Sequence, residues 1–152
     1  MPSIGEITTA VHDSIALVGA LNSVQNYNEL TEGMNTLPGA QIYPESGDCD
    51  AATETDRTTF VDAATGVPGV RQAEVMVRVD VYARQRSQLA EDWDTAVDLL
   101  DAVYDQLETQ GDCPLFGLTG IRSYRFTWQR VVFEYATIAY TGFRFELFFR
   151  VF

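Results

Sequence analysis

The feature that most constrains the fold is a strict alternation of apolar and polar residues in the middle of the chain. Every second residue from Val75 to Val81 is valine, and the residues between them, from Met76 to Tyr82, include an arginine and an aspartate. A period of two residues is that of a β-strand with one buried face. The sequence therefore predicts a strand over 74–82, in a sheet that turns one side to the core.

The last third of the chain is also patterned for β-structure. Ile121 to Glu134 alternates arginine, aromatic and aliphatic residues. The segment from Tyr140 to Phe152 predicts another strand, with one face made of Phe143, Phe145, Leu147, Phe149 and Val151. Its opposite face begins with polar residues and ends with Phe148 and Phe152. Aromatic residues on both faces imply two packing partners, which we expect to be a helix of the same chain and a neighbouring subunit.

Two segments have the periodicity of amphipathic helices. Residues 3–21 begin with Ser3 and Glu6 at the spacing of a capping box, and apolar residues then recur at three- and four-residue steps. A second helix is predicted from Ser87 to Leu107, with Gly111 just beyond its end. Its predicted apolar stripe is Leu89, Trp93, Val97, Leu100, Tyr104 and Leu107. The opposite stripe is acidic and consists of Asp94, Asp98, Asp101, Asp105 and Glu108.

The region from Asn22 to Gly69 lacks this periodicity, and only 41–43 and 58–61 are strand candidates. Its acidic, Ser/Thr/Ala-rich part predicts a mobile surface loop around residues 44–57. The order of elements is helix, irregular region, strand, helix, strand, strand. This order predicts a single α+β domain over residues 1–152, in which an antiparallel sheet has the N-terminal helix and the long second helix on one face.

The charge of the chain disfavours several classes of partner. There are 22 acidic residues against ten basic ones, all of them arginine, and the net charge is −12. Tight binding of nucleic acid or of an anionic membrane needs a cationic surface, so neither is expected. We expect no export signal, and no apolar run reaches the roughly 20 residues of a membrane span. Cys49 and Cys113 are expected to be free thiols, although their disulfide state stays open.

No catalytic arrangement is evident in the sequence. The single histidine, His12, lies on the first helix, where a surface or packing role is expected, and the usual serine-nucleophile, P-loop and dinucleotide motifs are absent. The acids around Asp94 and Asp98 are interpreted as a solvated helix face, with a divalent-ion site as the weaker alternative. Asp48 and Asp50 have the spacing of the start of a calcium loop, but the rest of that motif is out of register. We therefore predict a protein that is not an enzyme and has no cofactor or metal.

Charge is divided unevenly along the chain. Residues 1–112 carry 20 acids and five arginines, whereas residues 113–152 carry two acids and five arginines. A chain with this asymmetry can associate head to tail, and a rotation that closes produces a ring. The residues hypothesised to form the subunit or partner interface are Arg122, Arg125, Arg130, Arg144, Phe148, Arg150 and Phe152. The sequence leaves open the alternative that these arginines pair with acids of their own chain.

The layout resembles that of the tail terminator proteins of long-tailed bacteriophages and of related neck proteins. The matching features are the N-terminal helix, the alternating strand from Glu74 to Tyr82, the acid-rich helix from Ser87 to Leu107, and two closing strands with a turn at Tyr140–Gly142 before Phe143–Val151. The match is one of pattern, and the segment from Asn22 to Gly69 contributes little to it.

The resemblance implies a structural protein of the virion neck and tail, assembled in the host cytoplasm and without an active site. It would form a homo-oligomer, expected to be a hexameric ring, that caps the tail tube at its head-proximal end and joins it to the head-tail connector. DNA would pass through without tight binding, because an acidic lining does not hold phosphate. The acids hypothesised to line the channel are Glu45, Asp48, Asp50, Glu54, Asp56, Asp94, Asp98, Asp101 and Asp105.

Two other functions stay open at this stage. One is a head-tail connector or stopper protein, which would use the same sheet and bind a different partner. The other is a small α+β enzyme or ligand-binding domain with an aromatic pocket formed by Tyr124, Phe126, Trp128 and Phe148. Ordinary core and interface packing of these four residues is the favoured interpretation. The host and the number of subunits cannot be read from the sequence.

Overall fold

A computed structural model describes residues 2–31, 34, 36–49, 73–85, 93–111 and 115–151. The helices are α1 (Ile4–Ile15) and α2 (Trp93–Thr109), and a short 3₁₀ helix spans Leu115–Gly117. The strands are β1 (Ser23–Gln25), β2 (Gly39–Cys49), β3 (Ala73–Gln85), β4 (Ile121–Tyr135) and β5 (Ile138–Val151).

The five strands form one sheet in the order β1-β2-β3-β5-β4. β1 runs parallel to β2, and every other neighbouring pair is antiparallel. Both helices pack on the same face of the sheet, where their apolar residues join those of β3 and β5. The predicted α+β fold with a mostly antiparallel sheet is therefore confirmed, and the parallel pair of β1 and β2 is an addition to it.

The core lies between the helices and the face of the sheet that carries the alternating apolar residues. The pairs Val79 with Phe145 and Val77 with Leu147 lie side by side on β3 and β5, and all four side chains are fully buried. α1 covers them with residues at helical spacing that include Val11. Burial of this continuous apolar layer is the main force that holds the helices on the sheet.

α1 is shorter than the sequence predicted. It begins with the predicted capping box, because the Ser3 hydroxyl accepts from the Glu6 amide and the Glu6 carboxylate accepts from the Ser3 amide. It ends at Ile15 rather than residue 21, since the amides of Leu17 and Val18 bond carbonyls only three residues back, which tightens the last turn. The buried Val18 extends the apolar periodicity without extending the helix.

The buried stripe of α2 is rotated from the predicted one. Leu100 and Leu107 are buried as predicted, but Trp93, Val97 and Tyr104 are 38–44% exposed. The full set of residues that face the sheet is Ala96, Leu99, Leu100, Val103 and Leu107. A small alanine within the stripe allows the helix to approach the sheet, and the larger apolar residues are left at its flank. The predicted beginning of this helix, residues 87–92, lies outside the described residues.

The acidic loop predicted around residues 44–57 is wrong for its first part. Pro44–Cys49 belongs to β2 and pairs with β3, with a register shift between Pro44 and Ser46. This end of the strand is exposed, so its side chains are mostly polar and lack the alternation from which a strand is predicted. The remainder of the loop, with Asp50, Glu54 and Asp56, and the strand candidate at 58–61 lie outside the described residues, as do Cys113 and Phe152.

The turn between the closing strands was also misplaced. Tyr140–Gly142 lies within β5, and the hairpin turns at Ala136–Thr137, where Ala136 has a φ of 55°. Gly142 is required for a different reason. A Cβ at this position would overlap the carbonyl oxygen of Val81 on the neighbouring strand. The glycine therefore marks a close approach of two strands.

Candidate functional site

We call the side of β2, β3 and β5 that faces away from the helices the open face, because no described helix lies on it. Its centre is a buried carboxylate, Asp80, which is 3% exposed. Arg144 donates from Nε to Asp80 Oδ1 at 2.8 Å and from its terminal nitrogen to Oδ2 at 3.3 Å. The Tyr43 hydroxyl donates to Oδ2 at 2.7 Å. Three strands are thereby joined through one side chain.

These contacts change the ionisation of both partners of Asp80. The hydrogen bond from Arg144 to Asp80 raises the pKa of the guanidinium, against the opposite effect of its partial burial. Burial, followed by the hydrogen bond to Asp80, raises the pKa of Tyr43 to about 12. The phenol therefore stays protonated and the arginine stays charged at neutral pH, as their hydrogen bonds to Asp80 require.

A second charged cluster follows on the open face. Arg78 bridges Glu45, at 2.8 Å, and Glu146, at 3.3 Å. Its Nε is buried and has no hydrogen-bond partner. At the end of the same strands, Arg150 donates to Glu74 at 2.9 Å, where both side chains are more than half exposed. The open face thus consists of arginine–carboxylate pairs that become more exposed toward one end of the sheet.

A third cluster closes the other end of the open face. The Tyr82 hydroxyl donates to Gln41 Oε1 at 3.1 Å and lies 2.6 Å from the Tyr135 hydroxyl. Because Tyr82 has a single proton, Tyr135 is the donor of the second bond. The Gln41 amide then donates to Gln25 on β1 at 3.0 Å. Burial raises the pKa of Tyr82, so this hydroxyl is locked in its protonated form.

The predicted interface residues fall into two groups. Arg144 and Arg150 pair with acids of their own chain, which is the alternative that the sequence left open. Arg125 and Arg130 lie on β4 and stack on aromatic rings, Arg125 over Phe148 at 4.1 Å and Arg130 over Trp93 at 5.4 Å. Arg122 is exposed on β4 and also has an interaction within the chain.

Apolar side chains of α2 and of the helix side of β4 lie near one another at the flank of the core. We call them the aromatic patch and define it by Trp93, Val97 and Tyr104 of α2 and by Phe126 and Trp128 of β4. The rings of Tyr104 and Phe126 are 5.2 Å apart and meet edge to face. Trp128 is 48% exposed, which is unusual for the largest apolar side chain. Exposed apolar residues that cluster in this way mark a surface suited to a macromolecular partner.

The four aromatic residues of the alternative ligand pocket do not converge. Tyr124, Phe126 and Trp128 lie on the helix side of the sheet, where each contacts a phenylalanine of β5. Phe148 lies on the open face under Arg125. Tyr124 is buried enough that its pKa is raised, and its hydroxyl donates to the Leu107 carbonyl. The proposed pocket is therefore wrong, and three of its residues pack along the flank of the core.

The acids proposed to line a channel lie on two separate surfaces. Asp94, Asp98, Asp101 and Asp105 are exposed on α2, on the helix side of the sheet. Glu45 and Asp48 are on β2. Sequence reasoning missed Asp80 and Tyr43, since their importance depends on the register of three strands. The available signal was Asp80, an acid between two valines of β3.

The described residues contain no group of three or more histidine, cysteine or acidic side chains placed to hold a metal ion. His12 is half-buried, with its ring nitrogens 3.0 Å from an Asp13 oxygen and 3.4 Å from the Val24 carbonyl. An open groove of about 830 Å³ runs between α1 and the 3₁₀ helix, lined in part by Glu6, Asp13 and Phe116. His12 is not among the described residues that line this groove.

Comparison with known proteins adds no family to this description. No protein-family model matches the chain, and a search of curated proteins finds no significant match. Neither described helix has the length and apolarity needed to cross a membrane.

Proposed function

We propose that this protein is a phage tail terminator, a structural protein whose copies form a ring on the head-proximal end of the tail tube. The observation that carries the proposal is the aromatic patch together with β4, an edge strand of which most residues between Arg122 and Arg130 are exposed. A long, exposed edge strand beside unburied aromatic rings is a liability in a lone molecule, and contact with another chain removes it.

The distribution of charge supports a ring through which DNA passes. α1 and α2 together carry seven acids and no arginine, whereas the open face pairs its acids with arginines. If the sheet forms the wall of the ring, one of these two sides faces the channel. The acids of the helix side repel phosphate, whereas those of the open face are paired with arginines and repel it less, so the charges favour a ring with the helices on the inside.

The proposal also agrees with the chemistry of the described residues. The buried polar side chains of Gln41 and Asp80 are held in hydrogen bonds between strands, and Tyr43, Tyr82 and Arg144, whose pKa values are raised, take part in those bonds. Such groups hold neighbouring strands in register. A protein that transmits contacts between a tube and a connector needs this rigidity and needs no substrate site.

Two measurements test the proposal. Native mass spectrometry of the purified protein is expected to give a closed oligomer, with six copies the expected number, and negative-stain images are expected to show an open centre. Addition to polymerising tail tube protein of the same virus is expected to place this density on one tube end and to stop growth there. A protein that is monomeric and leaves tube ends bare would overturn the proposal.

A head-tail connector or stopper is the second candidate, since the same edge strand and aromatic patch would serve it. The two functions differ in the partner that is bound first. Capture by the head connector in the absence of tail tubes would assign the protein to the stopper class, whereas capture by tube ends in the absence of heads would assign it to the terminator class.

A further inference from the structure

The sheet has two edges at which backbone groups lack a strand partner among the described residues. One is the outer edge of β4, along its whole length. The other is β2 after Gln41, because β1 pairs only with Gly39–Gln41. The outer N–H and C=O groups of Ile42–Cys49 therefore have no described strand beside them. Each edge is a template for pairing with a strand of another chain.

The two edges carry opposite charge. β4 has Arg122, Arg125 and Arg130 against the single acid Glu134. The exposed segment of β2 has Asp48, has Glu45 in an ion pair with Arg78 of β3, and has no basic residue. Juxtaposing β4 with β4 would bring arginines together, whereas juxtaposing β4 with β2 brings arginines to acids. Charge therefore selects a head-to-tail contact between copies over a symmetric one.

Strand direction is compatible with the same contact. β4 is antiparallel to β5, which is antiparallel to β3, which is antiparallel to β2. β4 therefore runs antiparallel to β2, and a sheet continued from one copy into the next joins them as an antiparallel pair. The faces match as well. Arg125 lies beside Phe148 on the open face, and Asp48 lies beside Glu74 on that face, so both side chains meet on one side of the joined sheet.

We propose that the outer edge of β4 in one copy pairs with Ile42–Cys49 of β2 in the next copy, with Arg125 facing the acids of that segment. This inference rests on the proposed function and names the contact that closes its ring. The contact is heterologous, as a ring of identical copies requires. Pro44 has no N–H to donate, so the shared ladder is interrupted there, and the charges give the contact its selectivity.

Charge reversal at each edge tests the contact. Arg125→Glu and Asp48→Arg are each expected to weaken association by about tenfold or more, because each places like charges across the junction. Glu108→Arg, at an exposed position of α2 that belongs to neither edge strand, makes the same change in charge as Asp48→Arg and is expected to leave the oligomer intact. Thermal melts of all three variants check that the fold is retained. Sedimentation velocity and native mass spectrometry report the oligomer.

Mixing the two edge variants gives the decisive result. In an equimolar mixture, the β4 edge of the Arg125→Glu variant meets the β2 edge of the Asp48→Arg variant with opposite charges, and the native residues meet at the alternate junctions, so rings with alternating subunits are expected to reappear. Failure of the mixture to reassemble would overturn the contact, as would tighter association of Arg125→Glu alone, which would indicate a symmetric β4–β4 dimer.

The outcomes also separate this inference from the proposed function. Rings that persist in both edge variants would overturn the β4–β2 contact and leave the terminator proposal standing. A wild-type protein that forms no oligomer and leaves tube ends bare would overturn both.

Discussion

Asp80 and Glu74 lie on the same strand and the same face, and each accepts a hydrogen bond from an arginine of β5. They differ in burial, since the Asp80 side chain is 4% exposed and that of Glu74 is 61% exposed. Asp80→Asn is expected to cost about 3 kcal/mol of unfolding free energy, because it leaves the charge of Arg144 partly buried without its partner. Glu74→Gln is the matched control and is expected to cost at most about 0.5 kcal/mol.

Urea denaturation of the two variants measures this difference. Equal losses in the two proteins would contradict the assignment of Asp80 as the centre of the open face. Both variants are measured at a concentration at which any oligomer is dissociated, so that the loss of unfolding free energy reports on the single chain.

The pKa of Tyr43 predicts a specific alkaline response. The phenol ionises near pH 10 in the unfolded chain and near pH 12 in the folded one, because of burial and its hydrogen bond to Asp80. The folded state therefore holds the proton more tightly, and the stability that this supplies is complete below pH 10 and is lost as the pH rises toward 12.

Tyr43→Phe tests this response, since it removes the titrating group and keeps the ring. The variant is expected to lose stability less steeply than the wild type between pH 10 and 12, as measured by denaturation at fixed pH steps. Some slope is expected to remain, because burial also raises the pKa values of Tyr82 and Tyr124. Identical slopes in the two proteins would contradict the prediction.

At the scale of the elements, Gly142 permits the close approach of β3 and β5. A Cβ there would overlap the Val81 carbonyl, which belongs to rigid backbone and cannot move aside. Gly142→Ala is expected to cost about 3 kcal/mol or more and to lower the melting temperature. Gly19→Ala is the control, because a Cβ at Gly19 meets no atom within 4 Å. Equal melting temperatures in the two variants would contradict a close approach at Gly142.

The same elements show which parts of the fold the sequence could predict. β3 and β5 were predicted because the alternation of valines and phenylalanines is a direct consequence of burial on one face. β1, with three residues, is too short to show a period. The exposed end of β2 has no apolar face, so its sequence lacks the alternation that predicts a strand. The helix α2 itself was predictable, but its buried stripe was not. The sequence allows either Ala96 or Val97 to face the sheet, and only packing decides that Ala96 does.

Prediction of the candidate site follows the same division. Arginines on β4 and acids on α2 were found from composition and spacing. The pairing of Asp80 with Arg144 was not, since residues 64 positions apart in sequence meet only once the register of β3 and β5 is set. The exposure of Trp93 and Trp128 depends in turn on where α2 crosses the sheet.

For the whole molecule, the two acidic surfaces have different roles in the proposed ring. In that ring Asp48 lies at the proposed junction between copies, where its charge attracts the arginines of the next β4, whereas Glu45 already pairs with Arg78. The acids of α2 lie on the helix side and are left as the lining of the channel. In a channel, the acids of neighbouring copies come close together and repel one another. They therefore destabilise the ring, although the same charges prevent it from binding DNA.

The last prediction follows from this opposition of signs. A variant with Asp98→Asn, Asp101→Asn and Asp105→Asn is expected to form rings more stable than the wild type at about 0.01 M salt, where the Debye length is about 30 Å. The difference is expected to shrink at about 1 M salt, where that length is about 3 Å. Asp48→Asn is the control with the opposite sign, because it removes an attraction and is expected to weaken the ring. Dissociation measured by sedimentation at both salt concentrations checks each variant, and a triple variant no more stable than the wild type at low salt would place α2 on the outside.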